Sequence, residues 1–224
     1  MNDPAAPLRE YDYRKSLKDA HRYPFLEFFR VERFLTRPLA SLVVKAVFRS
    51  RIMPDHLTWA SFIAGLLAAA VFLGGSQAHF IAGGVLALLM SILDCADGML
   101  ARARGQCTER GAFLDLILDR IADFTVMTAL AYGTFLALGS HALTALALTA
   151  IALNFLQTTL SYLLLIYRRD RTMGNQAELR GFGIFVLSVF CVLNRPHYSF
   201  YALFAEALVG IVYLLACFFR PARP

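Results

Sequence analysis

Four aspartates stand close together in a stretch of the sequence that is otherwise strongly apolar. Asp94 and Asp97 are three residues apart, and Asp115 and Asp119 are four residues apart. On an α-helix, residues at either spacing share one face. A carboxylate inside a bilayer costs roughly 3 kcal/mol on insertion scales unless it is paired, hydrated or bound to a cation. Solubility does not explain such residues, so we interpret them as a chemical site.

The residue types around these aspartates suit a metal and a phosphate. Two helices packed face to face would bring the four carboxylates to one pocket, and clustered carboxylate oxygens favour hard cations, Mg²⁺ above all, with Mn²⁺ or Ca²⁺ as alternatives. Gly98 follows Asp97, and Gly111 lies one turn before Asp115, so a backbone or a bulky ligand can come close there. Arg102 offers a fork of donors to phosphate.

The aspartates belong to a longer pattern, D-x2-D-G-x2-A-R-x8-G-x3-D-x3-D. Its fixed positions are Asp94, Asp97, Gly98, Ala101, Arg102, Gly111, Asp115 and Asp119. The pattern resembles the signature of the CDP-alcohol phosphotransferases, also called CDP-alcohol phosphatidyltransferases, at every fixed position and with both long gaps of the right length. A lone D-x2-D would more often be a solvated helix end, but eight fixed positions within 26 residues are specific.

The resemblance implies a role for each signature residue. Asp94, Asp97 and Asp115 are expected as metal ligands, with two Mg²⁺ ions as the expected cofactor and Mn²⁺ as an alternative. Asp119 would serve the second metal ion and would be the catalytic base that takes the proton of the acceptor hydroxyl. The expected contacts to the CDP part of the donor are Gly98, Ala101 and Gly111 against the cytidine, Arg102 on the diphosphate, and Thr108 near the nucleotide.

The resemblance also includes a shorter stretch nearer the N-terminus, which begins at Pro54. Many family members carry P-N-x-x-T at this place, near the nucleotide. This chain keeps Pro54 and Thr58 and has Asp55 in place of the asparagine. We therefore expect Pro54 and Thr58 at the nucleotide. Asp55 suits a donor contact or the N-cap of the first membrane span.

Two arginines outside the signature are candidates for contact with the acceptor or a phosphate. Arg180 enters the fifth predicted span at the end of a basic loop. Arg120 directly follows Asp119 and would either orient a carboxylate, touch phosphate or form a structural ion pair.

The composition indicates a membrane protein of one domain. Hydrophobic residues make up 58% of the 224 residues, which exceeds the usual share in soluble domains. The net charge of +6 suits an anionic membrane surface or a phosphate-bearing substrate. Nucleic acid is not expected as a partner, because the positive charges lie beside apolar spans. Membrane lipids are the expected surroundings.

We predict an all-α fold, a six-transmembrane-helix bundle preceded by an interfacial amphipathic helix. The predicted spans are roughly 57–74, 78–99, 111–138, 141–167, 180–194 and 198–218. Turns are expected at Gly74-Gly75-Ser76 and at Gly139-Ser140.

Four segments follow from this pattern. They are a polar N-terminal tail (1–24), an amphipathic interfacial segment (25–52) broken at Pro38, a six-helix membrane catalytic domain (53–218) and a C-terminal tail (219–224). With six spans, nearly every Lys and Arg falls on one side of the membrane. The positive-inside rule then predicts a multi-pass protein of the cytoplasmic (inner) membrane whose signature faces the cytoplasm.

The resemblance implies an enzyme of phospholipid biosynthesis, usually a homodimer. We expect it to transfer a phosphatidyl group from a CDP-alcohol donor, CDP-diacylglycerol, to the hydroxyl of a small polar alcohol, with release of CMP. One alternative is transfer of phosphocholine or phosphoethanolamine from a CDP-linked headgroup to diacylglycerol. Another is a cation transporter with an intramembrane acidic site. Against transport, the acids cluster at one membrane face, and spans four to six are expected to carry none at mid-depth.

The role of Asp119 gives a first testable prediction. Asp119→Asn is expected to abolish turnover, measured as CMP release, while keeping most of the affinity for the CDP donor. The amide no longer accepts the proton of the acceptor hydroxyl as a carboxylate does. Wild-type turnover in this variant would contradict the assignment of Asp119 as the base.

Overall fold

The computed structural model describes residues 31–168 and 176–219, and every regular element within these ranges is an α-helix. The helices are α1 (Val31–Val47), α2 (Pro54–Phe72), α3 (Gln77–Arg104), α4 (Glu109–Leu138), α5 (His141–Arg168), α6 (Gln176–Val192) and α7 (His197–Phe219). The predicted all-α class is confirmed for this part of the chain. The predicted N-terminal tail lies outside the described residues.

Five of these helices are long and apolar enough to cross a membrane. They contain the segments Pro54–Phe72, Gln77–Arg104, Glu109–Leu138, His141–Leu164 and His197–Ala216. The remaining predicted span, 180–194, corresponds to α6. The apolar part found there, Gly183–Val192, is shorter than the roughly 20 residues that a bilayer requires. Within the described residues, five of the six predicted spans are therefore confirmed.

The six helices after α1 form a closed ring. The main contacts run from α2 to α3, α6, α7, α5 and α4 in turn, and from α4 back to α2. The shared core includes Phe72, Met90, Leu130 and Phe200. At the α2–α4 contact, a Cβ on Gly133 would overlap the Phe72 carbonyl oxygen, so only glycine lets these two backbones approach so closely. Small residues at close helix contacts are typical of membrane bundles.

The helix ends lie where the turn residues predict them. Gly75 and Gly139 have φ values of 63° and 62°, a conformation that glycine adopts at little cost. The start of α2 differs from the expectation, because the N-cap is Met53 and the helix begins at Pro54. The backbone N–H of Met53 donates to the His56 ring at 3.2 Å. Asp55 is therefore not the N-cap, and its side chain stays exposed.

Helix α1 continues through Pro38 as far as Val47, so the predicted break at Pro38 is wrong. A proline inside a helix costs about 3 kcal/mol or more. The cost is offset by packing, since Ala40 and Val44 are completely buried in a cluster with residues of α3. The Ser41 hydroxyl also donates a hydrogen bond of 2.7 Å to the Pro38 carbonyl.

Arg104, the last residue of α3, caps the end of α1. Its guanidinium donates hydrogen bonds of 2.6 to 3.1 Å to the carbonyls of Val47, Phe48, Ser50 and Ile52. The last carbonyls of a helix have no partner within the helix itself. Arg104 supplies those partners from another helix and fixes α1 against the end of α3 that carries the signature.

Removal of this cap should weaken the attachment of α1. We expect Arg104→Gln to lower the free energy of unfolding by about 2 kcal/mol, because several charge-assisted hydrogen bonds are lost. In a thermal scan in detergent, this corresponds to a fall in Tm of roughly 4–8 °C. The matched control is Arg51→Gln, an exposed arginine in the same connection. Equal Tm values for the two variants would contradict the role of Arg104.

Candidate functional site

Helices α3 and α4 bring three of the four signature aspartates together. One carboxylate oxygen from each of Asp94, Asp115 and Asp119 lies within 4.8 Å of the others. All three side chains are half-buried. Since like charges repel at this distance, the arrangement suits a divalent cation held between the two helices. The predicted convergence of the two aspartate pairs is thus confirmed for these three residues.

Asp97, the fourth aspartate, lies beside this cluster and is held by α2. Its side chain is only 5% exposed, and the Thr58 hydroxyl donates a hydrogen bond of 2.6 Å to its Oδ2. Asp97 is also close enough to Asp94 and Asp115 to interact electrostatically with both. A hydroxyl that donates to a carboxylate fixes its rotamer, as partners of metal ligands commonly do. Thr58 therefore orients the aspartate that lies beside the cluster.

Gly98 and Arg102 occupy the turn next to Asp97. A Cβ on Gly98 would lie 3.1 Å from Arg102 Nη1, so the guanidinium folds back over the glycine. Any larger residue at position 98 would push Arg102 outward. Ala101 is half-buried beside it. The guanidinium of Arg102 therefore lies along the turn that begins at Gly98, and its side chain is exposed.

The beginnings of α2 and α4 form another part of the site. Thr108 is the N-cap of α4, and its Oγ1 accepts a hydrogen bond of 3.0 Å from the Gly111 backbone N–H. A Cβ on Gly111 would lie 3.0 Å from Thr108 Oγ1 and 3.7 Å from Asp55 Oδ1. Asp55 therefore faces the start of α4, with Pro54 buried next to it. The structure thus brings Pro54, Thr108 and Gly111 to the same end of the ring.

Arg120 pairs with a carboxylate outside the cluster and joins α4 to α5. Its Nη2 lies 3.0 Å from Asp123 Oδ2, and Asp123 is almost completely buried. Its Nη1 donates to the Thr158 hydroxyl at 3.4 Å. Of the alternatives for Arg120, the structural ion pair is the one that this arrangement shows. Arg180 lies within α6, but its side chain is outside the described part of the chain.

Sequence reasoning did not single out three residues that the structure makes conspicuous. Asp123 follows Asp119 by one helical turn, a spacing that could have marked it as an extension of the signature. No pattern in the sequence marks Arg104, because the carbonyls that accept its hydrogen bonds belong to residues more than 50 positions earlier in the chain. Glu206 lies near the middle of α7, so the expectation of no mid-depth acid in spans four to six is wrong.

Residues 51–218 match the family model of the CDP-alcohol phosphatidyltransferases, and the chain therefore belongs to this family. Among its relatives is the phosphatidylinositol phosphate synthase of Mycobacteroides abscessus, 36% identical over 109 residues, which are 49% of this chain and 47% of the relative. The archaetidylinositol phosphate synthase of Pyrococcus horikoshii is 37% identical over 82 residues, 37% of this chain and 42% of the relative. The chain thus spans less than half the length of these relatives.

Solved structures share the fold. The phosphatidylinositol phosphate synthase of Mycobacterium tuberculosis with CDP-DAG bound has a TM-score of 0.56 at 21% identity, covering 81% of this chain and 92% of that one. The same enzyme in complex with manganese and citrate has a TM-score of 0.57 at 21% identity, covering 81% of this chain and 88% of that one. At this identity, the likeness shows that the helical architecture is common to both.

The hydrogen bond between Thr58 and Asp97 gives a prediction about metal binding. Thr58→Val keeps the side-chain shape but removes the donor, so we expect Mn²⁺ affinity to fall by about 10–100-fold. Thr58→Ser keeps the hydroxyl and should retain most of the affinity. Titration of Mn²⁺ followed by electron paramagnetic resonance measures both.

The matched control for this titration is Ser61→Ala. Ser61 lies one turn further along α2, is equally buried and donates to the Met90 backbone carbonyl rather than to a carboxylate. If Ser61→Ala and Thr58→Val weaken Mn²⁺ binding equally, the special role of Thr58 is wrong.

Proposed function

We propose that this chain is a membrane enzyme of phospholipid synthesis that transfers a phosphatidyl group from CDP-diacylglycerol to the hydroxyl of a phosphorylated polyol, such as inositol phosphate. The observation that carries the proposal is the approach of Asp94, Asp115 and Asp119 to within 4.8 Å inside the complete family signature. The choice of acceptor is supported by the names of the relatives, which make phosphatidylinositol phosphate and archaetidylinositol phosphate.

The donor in this proposal is supported by the fold. A structure with the same architecture binds CDP-DAG. In this chain, the proposed contacts to the CDP part are Pro54, Thr58, Gly98, Ala101, Arg102, Thr108 and Gly111. Gly98 leaves space for the Arg102 guanidinium over its turn, and a fork of donors suits a diphosphate.

The aspartates fit a divalent metal by the chemistry of their donor set, which is made only of carboxylate oxygens. Asp94, Asp97, Asp115 and Asp119 would hold one or two ions of Mg²⁺ or Mn²⁺. Manganese is present in one structure of the same fold. Bound ions would neutralise the diphosphate and stabilise the departing CMP. The chain itself supplies a cluster of negatively charged carboxylates, and a bound cation would reduce the repulsion between them.

The residues of the chain then have distinct tasks in the transfer. The acceptor oxygen forms a bond to the phosphorus that carries the diacylglycerol, and the bond from that phosphorus to CMP breaks. Asp119 takes the proton of the acceptor hydroxyl. Arg102 orients the diphosphate. Arg180 and Arg120 remain candidates for the acceptor phosphate, although Arg120 already pairs with Asp123.

Charge suggests how the ring lies in a membrane. Positively charged residues of the described part gather at the signature end of the ring, and they include Lys45, Arg49, Arg51, Arg102, Arg104 and Arg110. The opposite end carries Arg195. We propose that the signature end faces the cytoplasm, that the membrane is the cytoplasmic one, and that α1 lies in its interface. A homodimer is the proposed assembly, as the family resemblance implies.

Release of CMP tests the proposal directly. The purified protein in detergent with Mg²⁺ and CDP-diacylglycerol should release CMP with inositol phosphate in a panel of polar alcohols that also contains glycerol phosphate and serine. Chelation of the metal should stop the reaction, because the carboxylate cluster then has no cation to hold the diphosphate. Asp115→Ala is the matched inactive control, since it removes one carboxylate of the cluster.

Other outcomes would replace the proposal. CMP release with CDP-choline or CDP-ethanolamine and diacylglycerol would reverse the roles of lipid and headgroup. No CMP from any pairing would contradict the enzyme and favour the cation transporter. Glu206 adds one mid-depth acid to that alternative, but transport through the bilayer requires polar residues along the whole path.

A further inference from the structure

Asp123 continues the row of aspartates along α4 but does not belong to the carboxylate cluster. Asp115, Asp119 and Asp123 follow one another at intervals of four residues, a spacing that places neighbouring members on nearly the same helix face. The cluster contains the first two with Asp94, and Asp123 lies one turn beyond it. Asp123 is only 2% exposed, whereas the carboxylates of the cluster are half-buried. A carboxylate as buried as Asp123 needs a positive partner.

Arg120 is that partner, and it is held from two helices. Its Nη2 lies 3.0 Å from Asp123 Oδ2 on α4. Its Nη1 donates to the Thr158 hydroxyl of α5 at 3.4 Å, and that hydroxyl in turn donates to the Asn154 carbonyl at 3.0 Å. The guanidinium therefore has a defined place between α4 and α5, although Arg120 directly follows Asp119 in the chain.

The charge of Arg120 lies close enough to the cluster to act on a cation bound there. Side chains four residues apart on a helix have Cβ atoms roughly 5–6 Å apart, so a guanidinium bonded to Asp123 lies on the order of 10 Å from the Asp119 carboxylate. At such a distance, two unit charges still interact by more than the thermal energy when little water lies between them. A lone positive charge at this place would oppose a divalent cation, but the charge of Asp123 largely cancels it.

We propose that Asp123 is a positioning residue for the metal site, which holds Arg120 at α5 and cancels its charge, so that the carboxylate cluster keeps its attraction for a divalent cation. The proposal rests on the cation of the proposed function. Each negative group then has its own positive partner, Arg120 for the buried Asp123 and the cation for the cluster. Groups that support metal ligands from outside the ligand set commonly change metal affinity by about 10–100-fold.

The test is a titration of Mn²⁺ followed by electron paramagnetic resonance on the full chain in detergent. Asp123→Asn keeps the side-chain shape and an oxygen that accepts from Arg120, but it leaves the arginine charge uncompensated. We therefore expect the affinity for Mn²⁺ to fall about tenfold. The double variant Arg120→Gln, Asp123→Asn removes both charges, so its affinity should return to within about threefold of wild type.

Two single variants are the controls for charge and for packing. Arg120→Gln removes a positive charge, so it should not weaken Mn²⁺ binding, even though it breaks the same ion pair as Asp123→Asn. Thr158→Val removes the hydrogen bond between α4 and α5 without a change of charge. The affinity of Thr158→Val should stay within about twofold of wild type, because the ion pair remains.

A purely structural role for Asp123 predicts the reverse order. The affinity for Mn²⁺ would then fall with the number of contacts removed, and the double variant would bind Mn²⁺ less well than Asp123→Asn. That order overturns the proposal, and so does an affinity of Asp123→Asn equal to wild type. If Asp123→Asn does not fold, the double variant decides, because it leaves no buried charge unpaired. The proposal requires it to bind within about threefold of wild type, and a structural role requires a larger loss.

Failure of the proposed function can be told apart from failure of this inference. If the wild type binds Mn²⁺ but releases no CMP from any pairing, the transferase is wrong and the titrations still decide the role of Asp123. If the wild type releases CMP and all variants bind Mn²⁺ equally, the transferase stands and the inference is wrong. A wild type that binds no Mn²⁺ has no cation for Asp123 to serve, which also overturns the inference.

Discussion

Repulsion between the clustered carboxylates of α3 and α4 is the constraint on which the rest of this structure depends. Asp94, Asp115 and Asp119 lie within 4.8 Å of one another, with Asp97 beside them. Without a cation, the charges of such a cluster repel one another and oppose the positions that α3 and α4 take on α2. The surrounding bundle must supply the opposing free energy. It does so through small residues, such as Gly65 against Met90 and Gly133 against the Phe72 backbone, which let large areas of helix come into contact.

Helix α2 positions the two helices that carry the aspartate pairs relative to each other. It packs against both α3 and α4, so the distance between the pairs depends on how each helix meets α2. Its first two turns also reach the site, through Thr58 on Asp97 and through Asp55 near Gly111. At the other side of α3, Arg104 attaches α1 to the same end of the ring. The signature is thus one continuous stretch of sequence whose geometry is determined by residues outside it.

The ring has two halves with different chemistry. Helices α3 and α4 carry the signature residues, which under the proposed function serve the CDP part of the donor. Under the same proposal, discrimination among acceptor alcohols is expected from residues outside the signature. Helices α5 to α7 contribute buried polar groups that the signature does not require, among them Asn154, Gln157 and Glu206. Gln157 packs against Gly210 of α7, and Glu206 packs against Gly183 of α6, so these groups lie at the contacts between the helices of this half.

The sequence by itself determined the all-α class, the place of most helix ends and the convergence of the aspartate pairs, because each depends on local spacing, apolar runs or glycine turns. Other features required the tertiary structure. Helix α1 passes through Pro38 because packing on α3 offsets the cost, and Thr58 binds Asp97, 39 residues away. The surroundings of Glu206 come from α5 and α6. Such contacts join residues far apart in the chain, and no local pattern contains the distance between them.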